Sequence, residues 1–310
     1  MTLLQAAFGA LSAVVLFVYG LQGFSRELRA VGGEALQRWL ARVTRHSWRG
    51  AVVGALATAV LQSSSAVTSL AVSLVDAGVF SFRASLGVLL GANVGTTATA
   101  WLVSFKLTGV GPVFIVLGTL LSVLPARARV AGKAVFYFGL IFLALDLISA
   151  ALQPWQQEPL FMAWLAKAHT PWLGVLVGLV ITAAVQSSSV TTGLAILLVQ
   201  QGALPAEAAI PIVVGANVGS TSTALIASAT LSPAARACAQ ANAGFNAAAM
   251  LLILPFLPGF SAWVVSWAGD AGMAVAWAHL LFNLGMALTL LAAMGRLAPW
   301  LQRRFGLTEA

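Results

Sequence analysis

The chain is short of charge. Asp, Glu, Lys and Arg together make up only 8% of its 310 residues, against roughly a quarter in soluble domains, while 60% are hydrophobic. That balance excludes an ordinary water-soluble fold and reads as one all-α integral membrane domain with room for about eight membrane-entering segments. Cysteine is nearly absent. The lone Cys238 excludes an internal disulfide and says little about compartment. The first 24 residues have no basic n-region and run too long for a signal h-region, so they read as a retained transmembrane helix. After the last apolar segment the chain leaves no space for a separate soluble domain.

Acidic residues are scarcer than basic ones, and the formal charge is +8. Such a surplus could suggest nucleic acid, but the placement of the basic residues argues against it. Take the N-terminus as outside and the C-terminus as cytoplasmic, with two segments, near 50–80 and 172–202, that dip in and return. Then Arg26, Arg29, Arg38, Arg42, Arg45, Arg49, Arg83, Arg127, Arg129, Lys133, Arg236, Arg296, Arg303 and Arg304 all fall inside, and only Lys106 and Lys167 fall outside. Full crossings would move four of the inside residues out and both outside residues in. The positive-inside rule therefore favours re-entrant hairpins. Trp39, Trp48, Trp101, Trp155, Trp164, Trp172, Trp263 and Trp300 fall near the expected membrane surfaces. The Arg-rich stretch 26–49 reads as an interfacial helix on anionic lipid.

What is present in unusual form is Gln-Ser-Ser-Ser, at Gln62, Ser63, Ser64 and Ser65 and again at Gln186, Ser187, Ser188 and Ser189, each inside an apolar stretch. Four adjacent polar side chains are costly in hydrocarbon unless they find partners or line a cavity. The twelve residues from Gly50 to Leu61 make about 18 Å of helix, enough to reach roughly the middle of a 30 Å core, which places the first tetrapeptide at a hairpin tip. Asp76-Ala77-Gly78 supplies a turn at the surface.

The two copies belong to a longer repeat. Residues 54–104 match 178–228 without gaps at about 23 of 51 positions, including Gly54, Thr58, Thr68, Gly78, Gly91-Ala92-Asn93-Val94-Gly95, Thr97, Thr99 and Ser104. In the topology above one copy enters from each side, so the repeats are inverted, the arrangement of secondary transporters with a midplane site. Gly91 to Thr97 and Gly215 to Thr221 fall mid-span and predict broken helices, whose amides suit an anion and whose carbonyls and hydroxyls suit sodium. Helix packing through Gly-xxx-Gly, with hydroxyls bonded one turn back, is the competing account of these segments. Asp146 reads as a surface-reaching or paired acid, and His279 and Asn283 as helix-packing residues.

At these motifs the chain resembles the type II sodium-phosphate cotransporters, whose halves each carry a Gln-Ser-Ser-Ser hairpin followed by a Gly-Ala-Asn-x-Gly-Thr segment. Ala278 to Asn283 is similar to the family's Ala-His-Leu-Leu-Phe-Asn, whereas Ala241 to Asn246 departs from it with Asn242 in place of histidine. The resemblance implies symport of inorganic phosphate with sodium, without cofactor. It implies phosphate binding by Gln62 to Ser65, Gln186 to Ser189, Asn93 and Asn217. Sodium would be held among Ser64, Ser65, Thr68, Thr96, Thr97, Ser188, Ser189, Thr192, Ser220 and Thr221. Neither site segment contains an acid, so cation ligands are neutral oxygens.

The expected layout is a first repeat over 1–130, with hairpin 50–80, broken helix 82–104 and a span at 108–125. The second repeat covers 131–257, with hairpin 172–202, broken helix 206–229 and a span at 237–257. A final span and cytoplasmic tail fill 258–310. The expected partners are phosphate, sodium and the bilayer of a cell or inner membrane, with a homo-oligomer compatible and nucleic acid excluded. Other readings are the same carrier moving another oxyanion or exporting phosphate, a channel, and a membrane serine hydrolase. The last would need a base near a serine, and His46, His169 and His279 lie away from both tetrapeptides in sequence.

Overall fold

The computed structural model of the chain describes residues 3–43, 46–105, 109–125, 127–155, 158–160, 163 and 170–307. Arg45, Lys106, Trp164, Lys167 and His169 lie outside the described residues, as do the side chains of Arg38, Trp39, Arg42 and Arg127. Regular structure among the described residues is helical throughout: α1 (Leu3–Val43), α2 (Ser47–Leu61), α3 (Ser64–Asp76), α4 (Phe82–Gly95), α5 (Thr97–Ser104), α6 (Gly111–Val123), α7 (Arg127–Leu152), α8 (Pro171–Val185), α9 (Ser188–Gln200), α10 (Ala206–Ser228), α11 (Pro233–Ile253), α12 (Leu257–Trp267) and α13 (Ala271–Arg304), with a short 3-10 turn at Leu254–Phe256. Six stretches among the described residues are long and apolar enough to cross a membrane: Leu3–Ala30, Phe82–Ser104, Arg129–Leu152, Ala206–Ser228, Pro233–Trp267 and Ala271–Arg304.

Each tetrapeptide breaks a helix. α2 stops at Leu61 because Gln62 takes the left-handed conformation at φ 51°, and α8 stops at Val185 because Gln186 does the same at φ 56°. Such a conformation costs a non-glycine residue about 1–2 kcal/mol. Ser63 and Ser187 are extended, and α3 and α9 start directly after them. The chain therefore reverses at the tetrapeptide. Ser63 stabilises the new start by accepting the Ala66 N–H at 3.3 Å.

Hydrogen bonds between distant helix ends fix the directions. Ser47, which opens α2, donates from Oγ to the Arg83 carbonyl at 3.3 Å, so the first hairpin leaves and returns at one end of the bundle. Asp76 at that end accepts the Ser232 N–H at 2.7 Å, just before α11. Gln200, which closes α9, donates to the carbonyls of Val103 and Ser104 at 3.3 and 3.1 Å, at the far end of α5. The two hairpins thus enter from opposite ends and their tips point toward each other. Ser232 lowers the pKa of Asp76 by hydrogen bonding to it, which keeps this surface tie ionised well below neutral pH.

Two expectations are corrected. α4 and α5 are separated only by Thr96, itself near helical at φ −63° and ψ −22°, and α10 runs through Gly215 to Thr221 without interruption. The glycines there are used for close approach. A Cβ at Gly91 would collide with the Ala51 carbonyl of α2, and one at Gly215 with the Val175 carbonyl of α8. The hydroxyls bond one turn back, Thr97 to Val94, Ser220 to Asn217 and Thr221 to Val218, so these side chains are occupied close to their own backbone.

The second correction concerns 26–49, expected as a separate interfacial helix. No break follows residue 24: no proline interrupts the run, and α1 continues through Gly32 and Gly33 to Val43. Residues 47–49 open α2 instead.

The apolar interior divides in two. Phe17, Ile141, Ile148, Ile196 and Ile210 belong to a cluster around the second hairpin, and Val53, Val67, Leu86, Leu89 and Leu90 to one around the first. α1 joins both hairpins, because Phe17 lies against Gly193 of α9 and Ser25 donates to the Leu61 carbonyl at 2.7 Å.

Backbone contact at Gly91 leaves no room for a methyl group. Gly91→Ala is expected to cost about 1–3 kcal/mol through overpacking and to lower the melting temperature of detergent-purified protein by several degrees. Gly259→Ala, where a Cβ would meet nothing within 4 Å, is the control. Equal melting temperatures for the two variants would show that α2 and α4 are not in backbone contact.

Candidate functional site

A helix that begins inside a bundle presents amide N–H groups with no intrahelical acceptor, at the positive end of its dipole. α3 and α9 both begin this way. Their first turns carry Ser64 and Ser65, and Ser188 and Ser189, so each tip combines free amides with hydroxyls. Between the tips is a pocket of about 500 Å³ lined by all eight tetrapeptide residues, Ser69 and a stripe of α1 that includes Gln22, Ser25, Arg26 and Arg29.

The remaining candidates are placed around this pocket rather than on its wall. Thr96 donates to Ser64 Oγ at 3.2 Å and so supports the first tip. Thr68 and Thr192 are buried one turn into α3 and α9, and the Thr192 hydroxyl has no partner among the described residues. Thr97 is occupied by the Val94 carbonyl of α4, and Ser220 and Thr221 by their own helix. Asn93 and Asn217 are buried in contacts with neighbouring helices. Asn93 Nδ2 donates to Asn242 Oδ1 of α11 at 3.2 Å, and Asn217 Oδ1 meets His279 Nε2 of α13 at 3.2 Å and Asn283 Nδ2 at 3.5 Å. Each repeat therefore has one asparagine joined to a polar pair on a later helix, Asn242 with Asn246 and His279 with Asn283. Asp146 accepts the Gly109 N–H at 3.0 Å, the paired role expected of it.

Thr99 carries a role that the sequence did not suggest beyond its recurrence as Thr223. Its hydroxyl donates to Gln62 Oε1 at 2.9 Å and accepts from Ser189 Oγ at 3.3 Å, which links the two tetrapeptides through one side chain of α5. The corresponding Thr223 hydroxyl is buried without a partner among the described residues, and Gln186 is exposed. Thr99 thus holds Gln62 of the first tip and Ser189 of the second, while Thr223 makes no equivalent bond to Gln186. Arg26 and Arg29 were also missed as pocket residues, although Gln22, Ser25, Arg26 and Arg29 share a helix face at three- and four-residue spacing.

A sequence model of the Na+/Pi-cotransporter family matches residues 16–150 and again 151–296. The chain belongs to that family. It is accordingly a multi-pass membrane protein of a transporter family, not of an enzyme family, built from two tandem family repeats. The YqeW protein of Bacillus subtilis, which is uncharacterized, is 30% identical over 90% of this chain and 91% of its own length. YjbB of Escherichia coli K12, provisionally named an inorganic phosphate export protein, is 29% identical over 91% of this chain, which spans about half (52%) of YjbB. Human sodium-dependent phosphate transport protein 2B is 33% identical over 30% of this chain and 14% of its own length. No solved structure matches the chain.

In this cotransporter-family chain the unequal bonding of Thr99 and Thr223 leads to unequal costs. Thr99→Val strips Gln62 Oε1 and Ser189 Oγ of their partner and is expected to destabilise the protein by about 1–3 kcal/mol. Thr223→Val removes a hydroxyl that has no partner among the described residues and should change the melting temperature little. Thermal unfolding of both variants measures the difference, and a larger loss for Thr223→Val would contradict the unequal bonding of the two threonines.

Proposed function

We propose that the protein moves inorganic phosphate together with sodium across the membrane by alternating access, with one central site between the hairpin tips. The meeting of the two tetrapeptides at a single pocket, from opposite ends of the bundle, carries this reading. Inverted repeats around a midplane site let either face of the same site open in turn. The N-terminus is then outside and the C-terminus cytoplasmic, in a cell or inner membrane, and both hairpins are re-entrant. Arg83 opens α4 beside Ser47, so the first hairpin returns to the basic end.

Phosphate is held by donors. The first-turn amides of α3 and α9 and the hydroxyls of Ser63 to Ser65 and Ser187 to Ser189 offer convergent N–H and O–H groups to a tetrahedral oxyanion. Sodium takes neutral oxygens at the edge of the same site. The Ser64 and Thr96 hydroxyls meet at 3.2 Å, and the Thr192 hydroxyl is free to turn toward an ion. Asn93 and Asn217 act from the second layer through their contacts with α11 and α13. The provisional name of the Escherichia coli relative favours a second reading, net export of phosphate through the same site, with direction set by the prevailing gradients.

Uptake of labelled phosphate into proteoliposomes, with sodium, potassium or proton gradients imposed in turn and other oxyanions as competitors, tests the assignment. Ser64→Ala and Ser188→Ala should each weaken apparent phosphate affinity about five- to 150-fold, the equivalent of about 1–3 kcal/mol. Wild-type sodium-driven uptake in both variants would remove the shared site.

The same site has a flat pH response toward sodium. No carboxylate or imidazole lines the pocket, so no ligand must lose a proton for sodium to bind. Apparent sodium affinity, measured by equilibrium binding at a fixed concentration of the bound phosphate species, should stay nearly constant from about pH 6 to 8. A tenfold change per pH unit would mean that a titrating group takes part.

A further inference from the structure

We propose that Arg26 and Arg29 of α1 are the anion-capturing residues of the central pocket. This rests on the reading above that the pocket takes a phosphate-like anion, and it adds what that reading lacks, a source of full positive charge. Both arginines line the same 500 Å³ pocket as the two tetrapeptides, and no carboxylate lines it with them.

Their side chains are held in place. Arg29 donates to Ser25 Oγ from Nε at 3.3 Å and from Nη2 at 2.7 Å, and Ser25 in turn donates to the Leu61 carbonyl, immediately before Gln62. The guanidinium is thus tied to the end of α2 while three of its five N–H groups remain for a ligand. Arg26 donates to Tyr137 Oη at 3.4 Å and lies 5.9 Å from that ring's centroid. Neither arginine pairs with an acid among the described residues. The neighbouring Glu27 is turned to Lys133 of α7 at 4.0 Å.

Position along the bundle gives these charges their use. The Ser25 bond to Leu61 sets α1 beside the first tip, and from there Arg26 and Arg29 continue toward the end where Lys133 and Arg83 lie. An anion coming from the basic end therefore meets two guanidinium groups before the amides at the tips. Clefts lined by one sign of charge raise encounter rates by about 10- to 1,000-fold, an effect that falls with ionic strength. The attraction grows with ligand charge, so a dianion gains more than a monoanion of the same shape.

The test uses the full chain, with equilibrium binding of inorganic phosphate to purified protein and sodium-driven uptake in proteoliposomes, each at low and high ionic strength and constant sodium. Arg29→Gln and Arg26→Gln should raise the phosphate Kd and KM roughly tenfold at low salt, leave kcat and sodium affinity near wild type, and flatten the salt dependence. Arg29→Lys should recover most of the salt dependence because it keeps the charge. Arg303→Gln, at the end of α13, removes equal charge outside the pocket and should change nothing. If Arg29→Gln melts early, Ser25→Ala releases the tether with the charge retained and should keep the salt dependence. Wild-type phosphate affinity in both glutamine variants would overturn the arginine assignment and leave the transport reading intact. Phosphate binding without transport in the wild type would sink the transport reading, with the arginine assignment still decided by the binding arm. Failure of the wild type to bind phosphate would overturn both.

Discussion

A chain that reverses inside an apolar helix bundle must find partners for its backbone polar groups, and the architecture is organised around doing so twice. At Gln62 and Gln186 the reversal uses a left-handed residue that is not glycine, followed by an extended serine and a new helix. The arrangement leaves first-turn amides pointing into the bundle, an unfavourable situation unless hydroxyls, water or an anion meet them. The serines of the tetrapeptide therefore answer a structural need, and under the proposed function they supply the ligand chemistry at the same point.

The limbs of each hairpin are short and need a wall to lean on. That wall is built by helix pairs in backbone contact, α2 with α4 and α8 with α10, which require glycine where the carbonyls of the partner intrude. Close packing explains why the glycine-rich segments stay helical: a broken helix would lose the surface against which the hairpin packs. Polar side chains in those segments are satisfied locally or by one partner helix, as Asn93 is by Asn242 and Asn217 by His279. The two repeats match closely in backbone but differ in side-chain pairing at the tips. Thr99 connects Gln62 to Ser189, while Thr223 and Gln186 do not meet.

Much of the candidate pocket was legible in the chain because polar residues in an apolar segment are conspicuous, and their recurrence at a fixed offset removes chance. The hairpin limbs followed from length, since α2 falls well short of a full crossing. The broken helices were misjudged for a physical reason. Glycine, asparagine and hydroxyl residues serve either to open a helix or to pack it tightly, and the choice depends on what lies across from them. Nothing in the sequence of Gly91 to Thr97 reveals that the Ala51 carbonyl occupies the space a Cβ would fill. Arg26 and Arg29 were hidden by a similar ambiguity, because basic residues after a transmembrane segment read equally well as lipid contacts.

By itself the sequence determined the membrane setting, the duplication and the two polar tips, since composition and recurrence are properties of the chain alone. Tertiary structure alone decided that the tips share one pocket, that Thr99 bridges them and that α1 brings two arginines to the wall. Those facts depend on residues from about 37 to 160 positions apart coming within a few ångströms, as Gln62 with Thr99 and Ser232 with Asp76 do. Such proximity is set by how helices pack, through glycine contacts and helix length, and local pattern carries no record of which faces will meet.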